Sequence, residues 1–127
     1  MKNLIIDLDG TLTIEEENVP YEKKKPNLAL IKQLKEYQKI GFKITIFTSR
    51  SMRSFKGDVD KIKQHTYPQI LQWLNQHKVP FDELVVGKAW CGEEGFYVDD
   101  RAIRPSEFIN LSYEEIQKLL DKDKLCF

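Results

Sequence analysis

Two carboxylates one residue apart, Asp7 and Asp9, close the apolar run of NLIIDLDGTLT at residues 3–13. Such a pair is unfavourable unless a cation, a proton or a hydrogen-bond network compensates it. Three further polar clusters also follow apolar runs: Thr48 and Ser49 after FKITIF, Lys88 after ELVVG, and Asp99 and Asp100 after GFYV. Around a phosphoryl group the set makes chemical sense. Carboxylates from two segments offer the hard oxygen ligands that Mg²⁺ prefers, and the ion offsets repulsion between an acidic site and an anionic ester. Thr48 supplies a hydroxyl and a backbone N–H to phosphoryl oxygens, and Lys88 a positive charge where negative charge accumulates in the transition state. One carboxylate remains to attack phosphorus, and Asp9 is placed to protonate the departing oxygen and afterwards to deprotonate water. Taken singly, each cluster has a plainer reading as turn residues, a cap or a solvated lysine. Their recurrence at four successive segment ends favours a site.

The elements that must position these residues show in the periodicities. An apolar run followed by Gly10 reads as a buried parallel strand ending in a tight turn, and strand alternation points Asp7 and Asp9 the same way. Pro26 suits a first helical turn, Leu30, Ile31, Leu34 and Tyr37 share one helical face, and Gly41 is a C-terminal stop. FKITIFTSR reads as a second strand. Thr66-x-x-Gln69 resembles a capping box opening a second helix, with Pro68 in its first turn and Tyr67, Ile70, Leu71 and Leu74 as its apolar stripe. ELVVG and GFYVDD read as third and fourth strands, and Ser112-x-x-Glu115 caps a last helix carrying Tyr113, Ile116, Leu119 and Leu120. This order predicts an α/β fold with a mainly parallel sheet, whose ligands bind beyond the carboxyl ends of the strands. All four polar clusters fall on that edge. The stretch 14–25, with Glu15, Glu16, Glu17, Lys23, Lys24 and Lys25, reads as solvated loop charges without chemistry.

A chain of 127 residues predicts one domain, 1–127, large enough for a core and too short for two. Twenty Lys plus Arg balance twenty Asp plus Glu, so no global field recruits nucleic acid or an anionic membrane, and attraction for an anion must be local. Cys91 and Cys126 form neither a disulfide framework nor a zinc pattern, which favours a reducing cytoplasm. Asp7 interrupts the first apolar run before a signal-peptide core forms, and no run reaches membrane-spanning length, so a soluble, unprocessed protein is expected. His65 and His77 lack partnering ligands in sequence.

The ordered pieces DLDGT, FTSR, GK and VDD resemble the four motifs of the haloacid dehalogenase superfamily of phosphotransferases, over about a hundred residues. The resemblance implies a Rossmann-like three-layer α/β/α sandwich without a separate cap domain. It further implies Asp7 as nucleophile, Asp9 as general acid/base, Thr48 as the phosphate-binding residue of the second motif, Lys88 as the third-motif lysine and Asp99 as a ligand of Mg²⁺. Asp7 and Asp9 join the metal site, and Asp100 binds directly or through water. In that superfamily an Asp two residues after the nucleophile is typical of phosphatases. TSRSMRSFKGDVDKIKQHT and VGKAWCGEEGFYVDDRAIRPSEF resemble more narrowly the small phosphatases of bacterial capsule and surface-polysaccharide biosynthesis, implying a sugar phosphate substrate. Ala89 stands where that group commonly carries Pro, a departure that removes no catalytic group.

Without a cap, substrate selection falls to loops. Residues 14–25 and 50–65 are the stretches that could overhang the site, and an open site suits a large substrate or closure by a second copy in a homo-oligomer. Ser49, Arg50, Arg53, Lys56, Arg101 and Arg104 could grip a phosphorylated small molecule, and Trp90 could stack on a sugar ring. Two other classes compete. A signalling receiver domain also combines carboxylates, Thr and Lys, but there the acidic pair opens the chain and a middle strand ends in the phosphoacceptor. A catalytically silent binding module is the non-enzyme alternative, although no motif residue has been lost; a phosphatase for nucleotides or phosphoproteins is the alternative within the enzyme class.

Overall fold

The computed structural model describes residues 1–122 and 124, in two compact units, Met1–Trp90 and Cys91–Phe127. The first holds a three-stranded parallel sheet of β1 (Asn3–Ile6), β2 (Lys43–Thr48) and β3 (Glu83–Val86), in the order β1-β2-β3. Asn3 pairs with Lys43 and Ile6 with Ile46, while Thr45 pairs with Glu83 and Thr48 with Val86. Parallel neighbours need crossovers. The first crossover is α1 (Leu28–Lys39), and the second is α2 (Val59–His65) followed by α3 (Tyr67–Gln76). The class is α/β with a parallel sheet, as the order of elements implies, and the described residues include no separate cap.

The core of this unit follows the periodicities. Leu30, Ile31, Leu34 and Tyr37 are the buried face of α1. Pro26, expected in the first helical turn, precedes the helix, and Asn27 caps it, its side chain accepting the Leu30 N–H at 3.3 Å, while Gly41 ends it with φ +97°. In β2, buried Ile44, Ile46 and Thr48 alternate with less buried neighbours. The structure corrects the reading of Thr66 as half of a capping box. Its side chain makes no cap, and its hydroxyl instead meets Ser51 Oγ at 2.7 Å. The missed α2 explains this: Thr66 is a junction between two helices, its N–H donating to the Ile62 carbonyl and its carbonyl accepting the Ile70 N–H.

The turn after β1 is set by one carbonyl. Leu8 O accepts the N–H groups of Thr11, Leu12 and Thr13 at 3.2, 2.9 and 3.1 Å. Such a reversal needs a left-handed residue, and Gly10 supplies φ +79°. Gly10→Ala should therefore cost about 1–2 kcal/mol, read as a lower urea midpoint at unchanged m-value.

In the second unit α4 (Pro105–Asn110) precedes α5 (Tyr113–Asp121). The expected capping box of α5 is present: Ser112 Oγ accepts the Glu115 N–H at 3.1 Å, and the Glu115 carboxylate accepts the Ser112 N–H at 2.9 Å. The expected fourth strand is not. Residues 95–100 pair with no strand, and Phe96 and Val98 are 79% and 88% exposed. Asp99 instead accepts the Arg101 N–H at 2.8 Å, the local side-chain bond by which Asp competes with a strand ladder. Cys126 lies outside the described residues. Among those described, no helix is long and apolar enough to cross a membrane.

Candidate active site

The ends of β1, β2 and β3 deliver Asp7, Thr48 and Lys88 within the first unit. Lys88 Nζ stands 3.8 Å from Asp7 Oδ1, and the Lys88 N–H donates to the Thr48 carbonyl at 3.1 Å. Thr11, one turn after β1, donates its hydroxyl to Asp7 Oδ2 at 3.2 Å. Burial pushes the Asp7 carboxyl above the usual carboxylate range and outweighs Lys88, the Leu8 N–H and the Thr11 hydroxyl, while neighbouring Asp9 pushes it the same way. A carboxylate whose charge is disfavoured by burial suits a hard cation or an electrophilic phosphorus.

Asp9 is held differently. Arg50 grips it in a fork, Nε donating to Oδ2 at 2.9 Å and Nη2 to Oδ1 at 2.6 Å, and Lys24 Nζ donates to Oδ1 at 3.2 Å. Burial favours the neutral acid here too, but the hydrogen bonds and charges of Arg50 and Lys24 outweigh it and hold the carboxyl below the usual range. Arg50 is only 6% exposed, and its own N–H donates to Thr48 Oγ1 at 3.1 Å. The fork that sequence reasoning directs to substrate is thus aimed at Asp9.

Lys24 corrects the reading of residues 14–25 as solvated charge: it is 7% exposed. Its ammonium lies 2.9 Å from Glu15 Oε1, and its carbonyl accepts the indole N–H of buried Trp73 at 2.9 Å. Tyr21 lies against both cations, with Arg50 Cζ 4.1 Å and Lys24 Nζ 4.5 Å from its ring centroid. Nothing in a run of three lysines distinguishes the middle one, so only the folded loop identifies it. Lys25, its neighbour, is exposed and pairs with Glu16 at 3.8 Å, as a solvated charge should.

The remaining candidates are looser. Arg53 Cζ lies 5.6 Å from the centroid of half-exposed Trp90, a cation–π contact. Ser49 accepts the Met52 N–H at 3.0 Å through its carbonyl. Asp99, Asp100, Arg101 and Arg104 belong to the second unit. There the Arg101 N–H and then Asp100 hold the exposed Asp99 carboxyl low, and the Arg104 N–H donates to Glu107 at 2.9 Å. Among the described residues no group of three or more His, Cys, Asp or Glu side chains is gathered to hold a metal. Asp7 offers a hard oxygen of the right chemistry for Mg²⁺, whereas both side-chain oxygens of Asp9 already face cations.

A family model described as haloacid dehalogenase-like hydrolase matches residues 4–68, from β1 through α2 into the start of α3. A crystal structure of a Vibrio cholerae structural-genomics target is 53% identical, superposes with a TM-score of 0.94, and is covered over 100% of its length by 98% of this chain. Two structures of the Pnkp1/Rnl/Hen1 complex, one titled an RNA repair complex, are 19% and 16% identical at TM-scores of 0.48 and 0.49. This chain matches over 86% and 97% of its length, covering 33% and 32% of theirs, a likeness too slight to bear on fold or activity. No curated protein matches the chain. With the family match running through the turn that carries Asp7 and Asp9 and the strand end that carries Thr48, this chain belongs to the haloacid dehalogenase-like hydrolases.

Proposed function

We propose that the protein is a Mg²⁺-dependent phosphomonoesterase that works through an aspartyl phosphate on Asp7, with residues 1–127 acting as one phosphatase domain. The observation that carries this reading is the contrast between two carboxylates two positions apart. Asp7 is a carboxyl raised by burial with Lys88 at 3.8 Å, and Asp9 is held low by direct hydrogen bonds from Arg50 and Lys24. Two such groups divide the labour of nucleophile and proton carrier.

An Asp7 oxygen attacks phosphorus as the ester P–O bond breaks with its electron pair, and Asp9 passes a proton to the departing oxygen. Water then attacks the phosphorus, gives a proton to Asp9 and releases Asp7, so that one water is consumed per ester. The Asp9 clamp favours the ionised form, which is the form the water-activating half requires. Lys88 and Thr48 bind the phosphoryl oxygens, the Thr48 hydroxyl while also accepting the Arg50 N–H. Asp7 would hold Mg²⁺ through its hard carboxylate oxygens. When bound, the ion neutralises charge between the acidic site and the phosphoryl group.

The substrate we propose is a phosphorylated small molecule, a sugar phosphate of surface-polysaccharide biosynthesis. The resemblance of residues 48–66 and 86–108 to such phosphatases, and the Arg53–Trp90 pair, which can meet an anionic group and a sugar ring, support it. Hydrolysis of 4-nitrophenyl phosphate should require Mg²⁺ and stop in EDTA. Calcium should inhibit, because its looser coordination misplaces the attacking carboxylate. Full activity in EDTA overturns the metal assignment. A panel of phosphorylated sugars, nucleotides and phosphopeptides then separates substrate classes, a preference for nucleotides or phosphopeptides overturning the sugar phosphate.

A further inference from the structure

Residues 14–25 form a loop tied at its base, with Thr13 bridging Pro26, the Ile14 N–H donating to the Lys25 carbonyl at 2.9 Å and the Asn27 N–H to the Leu12 carbonyl at 2.8 Å. Inside it, Lys24 is fixed at both ends, by Trp73 on its carbonyl and by Asp9 and Glu15 on its ammonium. A buried lysine loses several kinds of solvation and side-chain freedom at once, and a salt bridge in such a place contributes little to net stability. Its position asks for another explanation.

The lone pairs of Asp9 supply one. A carboxylate presents about four acceptor sites, two on each oxygen. Arg50 Nη2 and Lys24 Nζ occupy the two on Oδ1, and Arg50 Nε occupies one on Oδ2. One site remains, on Oδ2. With Lys24 removed, Oδ1 regains a free site, and the proton has two oxygens to choose between.

We propose that Lys24 is a positioning residue, and that with Arg50 it saturates Asp9 Oδ1 so that Oδ2 is the atom that exchanges protons with the ester oxygen and with water. Tyr21 lies against both cations. Lys24, a solvated loop charge in the sequence reading, becomes part of the proton-transfer apparatus. This inference rests on the reading of Asp9 as the proton carrier.

The test compares leaving groups. Parent, Lys24→Met, Lys24→Arg, Asp9→Asn and the double variant Lys24→Met/Asp9→Asn are assayed on 4-nitrophenyl phosphate, whose leaving group needs little protonation, and on phenyl phosphate, whose leaving group needs more. Lys24→Met should lower kcat on phenyl phosphate by between about 10- and 100-fold, the range a misplaced catalytic group produces. The loss on 4-nitrophenyl phosphate should be several-fold smaller, with KM little changed. Lys24→Arg should restore most of the rate, and the double variant should be no slower than Asp9→Asn. Equal losses on both esters for Lys24→Met, or a double variant slower by the full Lys24→Met factor, overturn the positioning role and leave Asp9 untouched. Equal losses on both esters for Asp9→Asn itself overturn the reading on which the proposal rests. Lys24→Gln, which keeps a hydrogen-bonding side chain of similar reach, is read in the same way where Lys24→Met does not fold.

Discussion

Asp7→Asn should abolish turnover and phosphoenzyme formation, a loss of at least about 10⁴-fold in kcat, as expected when the nucleophile of a covalent mechanism is removed. The amide does not attack phosphorus, and no neighbouring carboxylate can substitute, because the oxygens of Asp9 face Arg50 and Lys24. The same change should raise the thermal midpoint of the protein in EDTA. The sign follows from the raised Asp7 carboxyl. Folding favours the protonated form, so the ionised form costs stability at neutral pH, and that cost is recovered as pH falls through the folded value toward the unfolded one. Asn carries no such cost. The stability gain of Asp7→Asn over the parent should accordingly shrink between neutral pH and the unfolded Asp value of about 3.9. Thermal melts across that range, paired with acid-quench trapping of labelled phosphoenzyme, check both halves. A variant that retains covalent phosphate would move the nucleophile elsewhere, and one with a lower midpoint at every pH would mean that Asp7 is a structural carboxylate.

Asp9→Asn should lose about 10²- to 10⁴-fold in kcat on unactivated esters, the usual contribution of a positioned proton carrier. On an activated aryl ester the first step should be partly spared, so that phosphoenzyme accumulates while its hydrolysis becomes rate-limiting. A burst of nitrophenolate followed by slow steady-state release is the expected signature. The change also leaves Arg50 and Lys24, both buried, facing a neutral amide. Breaking a buried pair by removing one partner is strongly destabilising, so a lowered melting temperature should accompany the kinetic loss. This is the opposite of the expectation for Asp7→Asn, and circular dichroism melts of the two variants side by side read the contrast directly. A single-phase progress curve with equal losses on all esters would remove Asp9 from proton transfer.

Several parts of this molecule were legible before folding because they are short-range. The buried stripe of α1, the strands β1 to β3 and the capping box of α5 each depend on residues within a turn or a strand of one another. The convergence of Asp7, Thr48 and Lys88 could be anticipated for a similar reason: in a parallel sheet every strand delivers its last residue to the same edge. The errors are also physical. GFYVDD has the composition of a strand, but strand formation requires a paired neighbour, and the Asp99 side chain satisfies the Arg101 N–H locally instead. The helix α2 was missed because in VDKIKQH the buried residue is Ile62 alone, too little apolar periodicity to register.

What the amino-acid sequence determined by itself is the inventory of chemistry and its order: carboxylates, a hydroxyl and a lysine behind successive apolar runs, enough to identify a haloacid dehalogenase-like hydrolase. What only the tertiary structure decided is how charge is shared among those groups. Asp7 and Asp9 are the same residue type in the same short turn, yet burial governs one and paired cations govern the other. The cations come from 15 and 41 residues away in the chain. Electrostatic energies depend on distance and burial in space, neither of which a run of three lysines or an arginine after a Thr-Ser pair reveals in one dimension.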